Sequence, residues 1–214
     1  GNDEAAAEII RNTAREHHAP CREIGKNAFE IREVTRKHIA FSRTNAYHKD
    51  VIWQVPICGI YQVKNAEIAI EAAQCLLGNK PEHEEMWRDA VAKIQWQGRM
   101  EECADHFIID GAHNPGAIEA FVESVRALKE EEPPILIFSA VSDKKYEQMI
   151  EYLCRHLQTK AFVVTEIEDK RRVPAGELGE IFKRYATCPV YVKADVKDAI
   201  ACAYEMRTKE TYIY

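Results

Sequence analysis

From residue 107 onward the sequence alternates short apolar runs with amphipathic stretches, and few folds tolerate that pattern. The runs cover 107–109, 135–139, 161–165 and 190–193, while 115–129, 144–157, 174–186 and 196–207 carry apolar residues at helical spacing. Strands separated by helices pair in parallel, and each crossover helix buries its apolar stripe on one face of the sheet or the other. The expected fold class is therefore α/β, with a Rossmann-like, mostly parallel sheet covered on both faces over 95–214. Residues 211–214 read as the start of one more strand.

The first part of the chain follows another pattern. A helix is expected over 3–18, then three short alternating segments at 29–31, 39–41 and 51–55 that suit antiparallel strands. A helix over 62–77 is stopped by Gly78-Asn79-Lys80-Pro81, and a second follows over 82–94. Some ninety residues so arranged make a thin core, which suggests that 1–94 are one piece of a larger domain.

Composition narrows the function classes. At 46% apolar content the 214 residues can fill a core. No apolar run reaches membrane-spanning length, and the acidic start Gly1-Asn2-Asp3-Glu4 is unlike a basic leader, so a soluble chain with no membrane partner is expected. Seven cysteines are scattered singly, without a Cys-x-x-Cys pair; that argues against a disulfide framework or structural zinc and suits a reducing cytoplasm. His17 and His18 are helix neighbours that point apart, hence poor joint ligands. A net charge of −6 disfavours nucleic acid as a partner, which leaves any anionic ligand to local clusters such as Lys144-Lys145 or Arg171-Arg172.

The hexapeptide Asp110-Gly-Ala-His-Asn-Pro115 lies where the strand at 107–109 gives way to a helix. Asn114 suits the N-cap, and Pro115 the first helical position, where its missing N–H costs nothing. Gly111 permits a sharp turn or a close approach to a ligand. Asp110 at a strand's carboxyl end and His113 beside a helix N-terminus would face one crevice, the usual place for a ligand in such a sheet. The plainer reading is a helix start flanked by two solvated loop residues.

Two further patterns precede it: Gly59-Ile-Tyr-Gln62-Val-Lys-Asn65-Ala66 at a helix start, and Trp96-Gln-Gly98-Arg99-Met-Glu101. In this order the three resemble the folylpolyglutamate synthase and dihydrofolate synthase family of the Mur ligase superfamily. Ser139-Ala-Val-Ser-Asp143-Lys144, Val163-Val-Thr165, Arg171-Arg172 and Pro174-Ala175 are similar to later family patterns. The resemblance covers the whole chain but only the second half of the family's length. It implies that 1–94 end a central ATP-binding domain and that 95–214 are the C-terminal glutamate ligase domain, short of its last strand or two. The glycine-rich lysine loop and the Mg2+ ligands would belong to a preceding part; Gly-x-x-x-x-Gly-Lys-[Ser/Thr] does not occur here.

What the resemblance implies is ATP-dependent addition of L-glutamate to folate or dihydropteroate through an acyl phosphate, by an enzyme that is monomeric when intact and inactive as this fragment. ATP and Mg2+ would be the cofactors, with no metal ligand in this chain. Arg99 would contact phosphate, Asp110 the ribose hydroxyls, and His113 either adenine or the transferring phosphate, making Arg99 and His113 the catalytic candidates. Gln62 and Asn65, three apart on one helical face, would meet the adenine edge. Asp143 and Lys144 would face the amino-acid substrate. Each has a plainer role open to it: Arg99 an ion pair with Glu101 or Glu102, Gln62 and Asn65 helix-start amides, Asp143 a helix cap. Trp96 is expected to pack at a hinge. Tyr61 stands where the family usually has histidine, which leaves charge or proton handling at that position in question. The alternatives are a Mur-type ligase for another acceptor and a non-catalytic adenine-nucleotide-binding module.

Overall fold

The structure is a computed structural model that describes residues 4–25, 27–44, 51–78 and 80–214. Its first region opens with α1 (Glu4–Glu16), none of whose residues is buried. Strands β1 (Phe29–Val34), β2 (Ile39–Arg43) and β3 (Ile52–Val55) form the expected antiparallel sheet in the order β1-β2-β3. Phe41 on central β2 stands opposite Ile31 and Trp53, and every residue of β2 is buried. Helix α2 (Tyr61–Leu77) ends at Gly78, whose φ of +80° lies where glycine alone is at ease. Asn79 of the expected stop lies outside the described residues. Helix α3 (Pro81–Val91) has proline at its first position and stops at Val91, three residues before the expected end at 94.

The second region begins with a hairpin of β4 (Glu101–Ala104) and β5 (Phe107–Ile109). Strand β4 is unforeseen in the sequence because it is a solvated edge: Glu101-Glu102-Cys103-Ala104 contains no apolar run to announce it. Then follow α4 (Pro115–Leu128), β6 (Ile135–Phe138), α5 (Tyr146–His156), β7 (Ala161–Val164), α6 (Ala175–Tyr185), β8 (Val190–Val192) and α7 (Val196–Met206). Strands β6, β7 and β8 pair in parallel in that order.

The expected strand after α7 takes a central position. Ile213 makes parallel bridges to both Phe107 and Ile135. Its carbonyl accepts from the Ile108 amide at 2.8 Å on one side, while the Ile135 amide donates to Tyr212 at 2.9 Å on the other. Residues 212–214 thereby join the hairpin to the parallel strands in one mixed sheet.

Alternation along β6 and β7 separates two apolar layers. Leu136, Phe138, Phe162 and Val164 face α4, α5 and α6, with Phe182 4.7 Å from Phe162 and 5.3 Å from Phe138 between ring centroids. Ile135, Val163 and Ile213 face α7, where Ala199 and Ala203 admit close approach. The larger layer runs on through Met100 and Cys58 to Trp53 and Phe41, so the two regions share one core.

Candidate functional site

The site is assembled where β5 ends. Asn114 caps α4 by accepting from the Ala117 amide at 3.0 Å, and Pro115 is the first helical residue. The turn between Asp110 and Asn114 is closed against the preceding loop by a Gly111 amide to Gly98 carbonyl bond of 2.8 Å. Gly111 allows a close approach: a Cβ there would lie 2.4 Å from the Arg99 guanidinium and 3.3 Å from the Gly98 carbonyl oxygen, so both would have to give. Gly98, at φ +65°, and Met100, at φ +50°, bend the loop around Arg99.

Arg99 is half-buried and makes no hydrogen bond or ion pair among the described residues. The expected alternative partner, Glu101, is occupied by the Gly98 amide at 2.6 Å. The guanidinium therefore lies over Gly111 with its donors uncommitted, which suits a phosphate or carboxylate.

Asp110 is more committed. Its Oδ2 accepts from the Tyr61 hydroxyl at 2.6 Å and the Met100 amide at 3.0 Å, and its Oδ1 accepts from the Ala112 amide at 2.9 Å. Burial pushes its carboxyl above the usual range, against the opposing pull of these donors and of Arg99. Burial and the Asp110 carboxylate push the Tyr61 hydroxyl up as well, so it remains a protonated donor.

His113 is exposed, and its Nδ1 lies 2.8 Å from the Gly111 carbonyl oxygen. A carbonyl only accepts, so Nδ1 carries a proton and Nε2 is left open to a ligand. On α2, the Asn65 amide donates to Gln62 Oε1 at 2.8 Å; Gln62 is buried and Asn65 exposed. The two expected amides thus meet each other, with Asn65 the one open to solvent.

Asp143 and Lys144 lie in the loop after β6. Asp143 accepts from Arg171 at 3.2 Å, with Lys144 3.9 Å away, and Arg171 also binds Asp169. The helix-cap alternative fails, because α5 is entered at Lys145 without a side-chain cap. Trp96, expected at a hinge, is 61% exposed and lines, with Arg36, Lys93 and Arg99, a cleft of about 560 Å3. Asp110, Ser139 and Tyr214 line a smaller cavity of about 140 Å3 at the carboxyl ends of the strands.

Glu102, Asp105 and His106 at the β4–β5 turn bring possible metal-ligand atoms within 4.8 Å of one another, but Asp105 is already paired with Arg207 at 3.2 Å. Sequence reasoning missed the Tyr61–Asp110 bond, for which no local signal exists across 49 residues.

The family model described as Mur ligase, glutamate ligase domain, matches residues 98–213, more than half of the chain. The chain belongs to the Mur ligase family. Among curated relatives, the dihydrofolate synthase/folylpolyglutamate synthase of Bacillus subtilis is 28% identical over 155 residues, covering 69% of this chain and 36% of the relative. The folylpolyglutamate synthase of Lacticaseibacillus casei is 31% identical over 110 residues, covering 50% and 26%. This Mur ligase chain thus spans well under half the length of the curated relatives it matches. Its fold is also that of the Mycobacterium tuberculosis folylpolyglutamate synthase complexed with ADP, at a TM-score of 0.77 and 19% identity over 94% of this chain and 45% of that one. The E. coli FolC structure in complex with DHPP and ADP gives 0.76 and 20% over 96% and 46%.

Proposed function

We propose that this chain is the C-terminal portion of an ATP-dependent ligase that adds L-glutamate to folate or dihydropteroate. Residues 1–94 end its central ATP-binding domain and 95–214 form its glutamate ligase domain. The observation that carries the reading is Arg99: a half-buried cation with uncommitted donors, laid over Gly111 and next to Asp110 at the carboxyl end of β5. The named relatives and the three ordered sequence patterns support the same reading.

ATP supplies the phosphoryl group that activates the acceptor's carboxylate as an acyl phosphate, open to attack by the glutamate amine. This chain's residues bind and orient. Arg99 offers a rigid, permanently charged fork to phosphate, and such prepositioned charge is the larger part of catalysis in phosphoryl transfer. Asp110 receives a sugar hydroxyl, His113 presents Nε2 to the nucleotide, and Asn65 with Gln62 lies toward the base. Asp143 and Lys144 hold the amino acid, with Arg171 3.2 Å from Asp143. Mg2+ is held by a preceding part of the polypeptide, and the intact enzyme works as a cytoplasmic monomer.

The first region supports the view of a partial domain. The α2 face bearing Ile68, Ala69, Ala72, Cys75 and Leu76 is exposed, a stripe suited to cover by the nucleotide-binding remainder of the ligase. The test is the intact polypeptide: Arg99→Ala abolishes glutamate-dependent ADP formation, and assays with folate, dihydropteroate and cell-wall peptide acceptors identify the substrate. Unchanged turnover in Arg99→Ala removes Arg99 from the mechanism. The 214-residue chain alone is expected to show no turnover above background.

A further inference from the structure

We infer that Tyr61 is a positioning residue for Asp110, an assignment that rests on the ligase reading only for its consequence on nucleotide binding. The two side chains come from different regions, Tyr61 from the first turn of α2 and Asp110 from the end of β5, and meet at 2.6 Å. A second observation fixes the ring. A Cβ on Gly59 would lie 2.8 Å from Tyr61 Cε1, 2.9 Å from its Cζ and 3.2 Å from Met100 Cγ, so the phenol rests against bare backbone that only glycine provides.

Met100 supplies the other donor to the same carboxylate oxygen. With Tyr61 and the Met100 amide on Oδ2 and the Ala112 amide on Oδ1, three of the roughly four acceptor positions of a carboxylate are filled. The position left is on Oδ1, so Asp110 has room for one further hydroxyl donor. Tyr61 thereby decides both where the carboxylate points and how many ligand hydroxyls it receives. Tyrosine at this position holds the carboxylate through a neutral donor that keeps its proton across the physiological range.

The test reads Asp110 directly in the 214-residue chain by carbon-13 carboxyl NMR. Tyr61→Phe keeps the ring against Gly59 and removes only the hydroxyl. Asp110 is expected to titrate at higher pH than in the wild type, since a donor to its charged form is lost, and Tyr61→His is expected to restore part of the shift by supplying a new donor. An unchanged Asp110 midpoint in Tyr61→Phe overturns the assignment. Should Tyr61→Phe not fold, Asp110→Asn read at the Tyr61 ring carbon that bears the hydroxyl decides the same point; an unmoved resonance refutes the bond. In the intact polypeptide, Tyr61→Phe is expected to raise KM for ATP roughly tenfold, as for one lost hydrogen bond to a charged group, with kcat little changed. A parallel fall in kcat with KM unmoved contradicts positioning. Failure of the wild-type polypeptide to use ATP at all would sink the ligase reading and leave the titration result standing.

Discussion

The two regions share an apolar core but differ in what they bury beside it. In the second, the sheet is filled from both faces by aliphatic and aromatic side chains: Ile150, Leu153, Leu178 and Phe182 have no solvent exposure. In the first, α2 buries the carboxylates Glu67 and Glu71 alongside Val63, Ala66 and Ile70. Arg43, 1% exposed, binds Glu67 at 2.6 and 3.0 Å and Glu71 at 3.0 Å, and Arg22 reaches Glu71 at 2.7 Å from outside. The Arg43 guanidinium also lies 5.3 Å from the Trp53 ring. Meanwhile Ile68 and Leu76 on the outer face of α2 are 50% and 84% exposed. Among the described residues, Trp53 Nε1, Trp87 Nε1 and both carboxylate oxygens of Glu84 are buried without a hydrogen-bond partner. Such groups normally find one. A helix that buries Glu67 and Glu71 while leaving Ile68 and Leu76 in solvent has an outer apolar stripe open to a further neighbour.

The contrast is open to attack in three places. The largest effect is expected in the first region: Arg43→Ala strands Glu67 in the interior, leaves Glu71 with Arg22 alone, and should cost about 3–5 kcal/mol in urea unfolding. Replacing Arg43, Glu67 and Glu71 together by apolar residues of similar volume should recover most of that loss; if the triple variant is as unstable as the single one, the charged core is not what sets the regions apart. Next, Leu153→Ala in the second region opens a cavity and should cost about 2–5 kcal/mol by the same measurement. A loss well below that range would show this core to be as loosely specified as the first. The smallest effect is at the join of sheet and helix. Asn114→Ala removes the cap on the Ala117 amide and should lower stability by about 1 kcal/mol, visible as a modest drop in melting temperature, with the circular dichroism of the folded state retained.

Much of the second region was legible because its signals are local. Each apolar run became a strand and each periodic stretch a helix, and Asn114-Pro115 announced the start of α4 by cap chemistry alone. Strand β4 was not legible, since a solvated edge leaves no hydrophobic trace. Periodicity also revealed α2 without revealing which side it buries, because the partner for Glu67 and Glu71 is an arginine on β2, 24 and 28 residues earlier. Gln62 illustrates the same limit: its spacing from Asn65 suggested an open pair of amides, yet it is buried beneath its neighbour. Of the site, the turn of Asp110, Gly111 and His113 could be read from six residues. The freedom of Arg99 and the embrace of Asp110 by Tyr61 depend on a loop at 98–100 whose left-handed residues are partly non-glycine, and no composition rule foretells that.

The strand at 212–214 gives the second region a distinctive folding problem. Ile213 must find Ile108 across more than a hundred intervening residues and slot between two edges that are already formed or forming. Hairpin β4–β5 and the β6–α5–β7 unit close from nearby residues, whereas joining them waits on the longest loop closure in the sheet, whose entropic cost precedes the contacts that reward it. The seam between β5 and β6 should therefore be the last part of the sheet to gain protection in pulse-labelled hydrogen exchange during refolding. Asp110, at the top of β5, borders that seam, so the crevice acquires its floor only when the chain has finished folding.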